Sequence, residues 1–140
     1  QATSQQLRSV LNICNDLERI GDIYFQISKT IEQKIEEKGY FTPDQRNYIN
    51  EMNDKVDEGF AIMISNLNAP DYRKVTKDRA VAIEKEINDI RNKLRKHNLS
   101  RLGESDYNVR SSMIYNNIFS SLEKVGDHII NITESIVGEI

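Results

Sequence analysis

Two stretches of this chain are nearly the same helix written twice. Leu17-Glu18-Arg19-Ile20-Gly21-Asp22 recurs 105 positions later as Leu122-Glu123-Lys124-Val125-Gly126-Asp127. Apolar positions outside the motif keep the register, Ile13 with Ile118, Ile27 with Ile132 and Ile31 with Ile136. Each copy sets a Glu and an Asp four residues apart, which on a helix stacks both carboxylates on one face about 6 Å apart. Each also keeps a glycine just before the Asp, where a helix interior loses roughly 1 kcal/mol against alanine. The fold must therefore hold two equivalent long helices, and the glycine asks for a neighbouring helix or an ion that comes close.

The rest of the chain is written in the same period. Apolar residues recur at helical spacing almost throughout, and period-two alternation is absent. A first helix spans about 4–38, with Leu7, Val10, Leu11, Cys14, Leu17, Tyr24, Ile27, Ile31 and Ile35 on one stripe and Gly39 as its stop. Thr42-Pro43-Asp44-Gln45 then reads as an N-cap, a proline at the first helical position and a Gln at the third. The second helix, about 44–68, turns Ile49, Met52, Val56, Phe60, Met63 and Leu67 inward. Ala69-Pro70-Asp71 breaks it and caps a third helix over about 72–102, with Ile83, Ile87, Ile90 and Leu94 inward. After a turn at Gly103-Glu104-Ser105-Asp106 a fourth helix runs over about 106–137. Connections this short make sequential helices antiparallel, giving an all-α up-and-down bundle of four long helices in one domain.

Composition narrows the function classes. With 140 residues, 38% hydrophobic and 29% charged, the chain can bury a single core and is no disordered tail. A formal charge of −3 gives no general attraction to nucleic acid or to an anionic membrane. Cys14 is the sole cysteine, so neither an intrachain disulfide nor a thiolate metal site is available. The longest apolar run, from Phe60 to Ile64, falls far short of a membrane span. The chain opens inside a helical pattern without an initiator Met or a signal peptide, and reads as a piece of something longer.

The acidic repeat has a plain reading, in which Glu18, Asp22 and Arg19 decorate a solvated face. Its sharper reading is a carboxylate metal site on a bundle, with oxygen ligands suited to Mg²⁺, Ca²⁺, Mn²⁺ or iron. Glu84 and Asn88 form a similar ladder on the third helix, where Asn keeps a carbonyl ligand but loses the charge. His128 follows Asp127 but points off the acid face, and Ile23 stands in its place in the first copy. No Glu-x-x-His pair of the di-iron oxidases is present. Arg91, Lys93, Arg95, Lys96 and Arg101 complement the C-terminal dipole of the third helix. No nucleophile elbow, glycine loop or HExxH motif accompanies them, so the reading is non-enzymatic.

The doubled helix resembles the signature helix of the PhoU family of phosphate-signalling proteins. Glu18-Arg19-Ile20-Gly21-Asp22 carries the family's motif, and Glu123-Lys124-Val125-Gly126-Asp127 is followed by the tail Asn131-Ile132-Thr133-Glu134. The stretch from Glu86 to Arg95 is similar to the PhoU-like domain at the C-terminus of bacterial Na⁺/phosphate-symporter-type membrane proteins. That resemblance implies two three-helix repeats, with the first helix here closing the earlier repeat and the other three forming the later one. It implies a metal site, a divalent cation or iron, in which Glu123 and Asp127 pair with Glu84 and Asn88. Glu18 and Asp22 match the motif without a partner helix in this chain. It further implies a homo-oligomeric regulatory domain on the cytoplasmic side of the inner membrane, acting on a transporter's membrane domain. A free-standing phosphate-signalling regulator, a carboxylate-metal hydrolase or oxidase and a structural dimerisation bundle are the alternatives.

Overall fold

The structure is a computed structural model that describes residues 2–104 and 108–138. It is the antiparallel all-α bundle that the periodicity predicts, with helices α1 (Ala2–Glu36), α2 (Pro43–Leu67), α3 (Asp78–Arg101) and α4 (Val109–Val137). The expected beginning of the fourth helix near 106 falls outside the described residues. Within them, α4 starts at Val109, where the Ser111 backbone N–H donates to the Asn108 side chain at 3.0 Å.

The caps explain where the helices begin and end. The Gln45 N–H donates to Thr42 Oγ1 at 3.2 Å, and the Thr42 N–H donates to Gln45 Oε1 at 2.9 Å, closing the capping box that opens α2. Asp71, by contrast, caps a single 3₁₀ turn at Tyr72–Lys74 rather than a long helix. Its carboxylate accepts from the Arg73 backbone and guanidinium, both at 3.0 Å, and Val75 then turns extended and packs on the core. This diversion moves the start of α3 from the expected 72 to Asp78. The stop after α1 also differs from expectation. Lys38 takes the left-handed conformation (φ 53°), while a Cβ on Gly39 would meet Ser111 Oγ at 3.2 Å. Gly39 is thus there for a close approach to α4.

The four helices do not share the core equally. Helix α4 packs against all three others, and its buried residues lie all around it, from Tyr115 and Phe119 to Ile130 and Ile132. Tyr115 meets Phe119 edge-on at 5.3 Å and Phe41 at 6.0 Å. Helices α2, α3 and α4 form a closed trio, and α2 and α3 are laced by Lys55–Glu86 at 3.3 Å and Lys93–Glu51 at 3.5 Å. Helix α1 lies against α4 on the far side, burying Ile20 and Ile27 with Ile13 and Ile23 half-buried. The single stripe expected for α1 is therefore corrected. Of its members Ile27 is buried and Tyr24 half-buried, while Leu7, Val10, Leu11, Cys14, Leu17, Ile31 and Ile35 are exposed. They form a second stripe rotated away from α4.

Energetics follow this hierarchy. Phe119→Ala, at the centre of the trio, is expected to lower unfolding free energy by about 3–5 kcal/mol in urea denaturation. Phe25→Ser on the exposed stripe is expected to change it by no more than about 0.5 kcal/mol.

Candidate functional site between α3 and α4

The two acidic motifs meet different surroundings. On α4, Leu122 is 4% exposed and Gly126 is buried; on α1, Leu17 is 40% exposed and Gly21 is open. The expectation that Leu17 is a core position is corrected with it. A Cβ on Gly126 would stand 3.0 Å from Ile87 Cδ1 and 3.5 Å from its Cγ2, so the glycine is what admits α3. A Cβ on Gly21 would meet nothing within 4 Å. Glu18 and Asp22 accordingly stand exposed, on the side of α1 turned from α4.

The second copy faces α3. Arg91 Nη1 lies 3.0 Å from Glu123 Oε1, and both side chains are mostly buried. Glu123 Oε2 is buried with no hydrogen-bond partner. Glu84 and Asn88, on the same helix as Arg91, are half-buried, while Asp127 is more open. Burial pushes the Glu84 carboxyl above its usual range, and the charges of Asp127 and Glu134 push it the same way. Burial likewise raises Glu123; Arg91 opposes the rise, Asp127 adds to it, and Arg95 and Lys124 oppose it. Asp127 is raised by desolvation against the opposing His128 and Arg91. Three carboxyls that hold protons more tightly folded than unfolded contribute stability at low pH, and it is lost as pH rises through their folded values.

The sequence-derived residues Glu84, Asn88, Glu123 and Asp127 thus fall on one α3–α4 face, and Glu18 and Asp22 on a separate one. This donor set, as it stands, does not fit the metal that the resemblance implies. A guanidinium already neutralises Glu123, and among the described residues no three His, Cys, Asp or Glu side chains gather closely enough to hold an ion. Arg91, expected to complement the C-terminal dipole of the third helix, pairs with Glu123 instead. The signal for its real role was its place one turn beyond Ile87, on the face that meets Gly126.

A second polar contact was not foreseen. His128 Nδ1–H donates to Asp16 Oδ1 at 2.8 Å, with side chains 21% and 15% exposed. An ionised carboxylate only accepts, which fixes that nitrogen as the donor. Asn131 Nδ2 reaches the same oxygen at 3.5 Å. His128 is therefore a clasp between α4 and α1.

Fold and site together define a helical bundle carrying two copies of one acidic helix, one closed by α3 and one open. In comparisons with protein-family models, curated proteins and solved structures, none matches this chain.

Two outcomes check this geometry. Gly21→Ala is expected to stabilise the chain by about 0.5–1 kcal/mol, whereas Gly126→Ala, crowding the buried Ile87, is expected to destabilise it by about 1 kcal/mol. Glu84→Gln is expected to raise Tm by about 1–2 °C at pH 7, with the difference closing as pH falls toward about 4, in thermal scans across pH.

Proposed function

We propose that this chain is a non-enzymatic regulatory module of the PhoU-like kind, seated on the cytoplasmic side of a phosphate transporter's membrane domain. The observation that carries the reading is the doubled acidic helix, whose two copies lie antiparallel and in contact while only one is closed by neighbouring helices. The open pair, Glu18 and Asp22, offers two solvated carboxylates to basic groups on a partner. In the closed copy Arg91 pairs with Glu123, which ties α3 to α4. Among the described residues no helix is long and apolar enough to cross a membrane, so the membrane contact in this reading is with a partner or a segment outside the chain.

No step of this proposal runs through a metal ion. A cation at Glu84, Asn88, Glu123 and Asp127 would have to displace the Arg91 guanidinium. Metal analysis of purified protein addresses it: metal lost on Glu123→Ala with Asp127→Ala restores that reading, and unchanged content removes it. The sequence upstream of Gln1 separates the tethered form, which requires membrane-spanning segments there, from a free-standing regulator.

The functional test is phosphate uptake. In cells expressing the chain with its transporter, Glu18→Ala with Asp22→Ala is expected to change the rate of radiolabelled phosphate uptake several-fold at equal expression. Uptake that is indifferent both to these substitutions and to removal of the whole chain would sink the proposal.

A further inference from the structure

We infer that the end of the bundle where α3 leads into α4 is a contact for an anionic lipid surface, made by Leu99, Leu102, Val109 and Met113 with Arg95 and Lys96 at their edge. Ser112 Oγ donates to Asn98 Oδ1 at 2.7 Å, which sets the register of the two helices at this level. Leu99 and Met113 each follow one residue later. On antiparallel helices that step turns both side chains to the same outer side. Leu102 closes α3 three residues beyond Leu99, and Val109 opens α4 four residues before Met113, so both share that side. Leu99 is 69% exposed, Met113 63%, Val109 62% and Leu102 45%. Together they form one apolar patch on the outside of the packed pair.

Charge decides what the patch faces. From 91 to 113 the chain carries six Lys and Arg against two acids, although its formal charge as a whole is −3. Several of these cations are used internally, Arg91 by Glu123, Lys93 by Glu51, and Arg101 by Asp44 and Glu104. Arg95 and Lys96 are different. Both are exposed about one turn before Leu99, and neither is in an ion pair among the described residues. Arg110, about one turn before Met113, has a side chain 74% exposed and meets Glu37 only at 3.7 Å. Glu104, near Leu102, is already bound to Arg101 at 2.6 Å.

Aliphatic side chains that stand clear of the bundle, with unpaired cations one turn behind them, let a protein dip into lipid while its cations stay at the headgroups. The acids elsewhere in the chain then orient it, since an anionic surface repels them and draws this end forward. The longer apolar stripe of α1 does not meet the same condition. Glu18, Asp22, Glu32 and Glu36 stand exposed on that helix and hold an anionic surface off. Turning this end to lipid rests on the proposed seating at a membrane, to which it adds the surface and the lipid class.

The test is cosedimentation of the 140-residue chain with vesicles of phosphatidylcholine alone or with about one-third phosphatidylglycerol. Binding to the anionic vesicles is expected to be at least ~10-fold tighter than to the neutral ones, and to fade at about 1 M salt. Arg95→Glu with Lys96→Glu is expected to remove that preference, and Leu99→Asp with Met113→Asp to remove binding. Circular dichroism is expected to stay unchanged in both, because every side chain replaced is exposed. In a Cys14→Ser background, a polarity-sensitive dye attached through Met113→Cys is expected to shift to the blue on the anionic vesicles, and one attached through Leu17→Cys to stay unchanged. Absent binding, binding indifferent to lipid charge, anionic binding undiminished by either pair of substitutions, or a dye that responds at Leu17 rather than at Met113 each overturns the proposal. No transporter is present, so failure here is distinguishable from failure of the uptake test.

Discussion

The bundle depends on α3 coming close to α4 at Gly126. The missing side chain there lets Ile87 sit where a Cβ would be 3.0 Å away, and this single approach sets the depth at which the two helices mesh. Ile87, Ile90 and Leu94 bury against α4 because of it, and Arg91 is delivered to Glu123 from the same turn of helix. Packing comes first and the ion pair follows. Taken alone, a half-buried carboxylate raised by desolvation would be a cost. Beside a guanidinium fixed by a close-packed ridge, it becomes a tie between two helices.

Nearly identical local sequence has produced two different helices. The motif at Leu17 and the motif at Leu122 share propensity, spacing and charge, yet one is half open and the other is the hub of the molecule. The difference lies in what covers each copy, a property of topology. Helix α4 has α2 and α3 on one side and α1 on the other, whereas α1 has α4 alone along most of its length. Neighbours, more than the motif, decide whether its glycine is a contact point or an exposed weakness in a helix.

Much of this was legible in the sequence, in a pattern that makes physical sense. The helices, the antiparallel order and the capping box at Thr42 are set by local periodicity and short-range hydrogen bonds, and those travel with the sequence. The start of α3 was not, because Asp71 satisfies itself locally with Arg73 and ends its helix after one turn. The apolar spacing of α1 predicts one buried stripe, whereas the residues divide into two seams about a quarter turn apart. Periodicity gives the existence of an apolar face but not what covers it. For the candidate site, the sequence identified the acids on α3 and α4. It could not show that Arg91 would pair with Glu123, nor that His128 would reach across to Asp16, since both contacts depend on the rotation of one helix against another.

The order of the helices along the chain has a consequence for how the molecule is made. The hub is synthesised after the three helices it joins, and the clasp between Asp16 and His128 joins residues 112 positions apart. At roughly 5–20 residues per second, α1 leaves the ribosome many residues before α4 exists and waits for several seconds with the seam of Ile20 and Ile27 uncovered. Such long-range closure also slows folding, because the loop entropy is lost before the contacts form. Until Val109 and the helix it begins have emerged, α1, α2 and α3 lack the helix they share, which makes that interval the period in which a chaperone has most to hold.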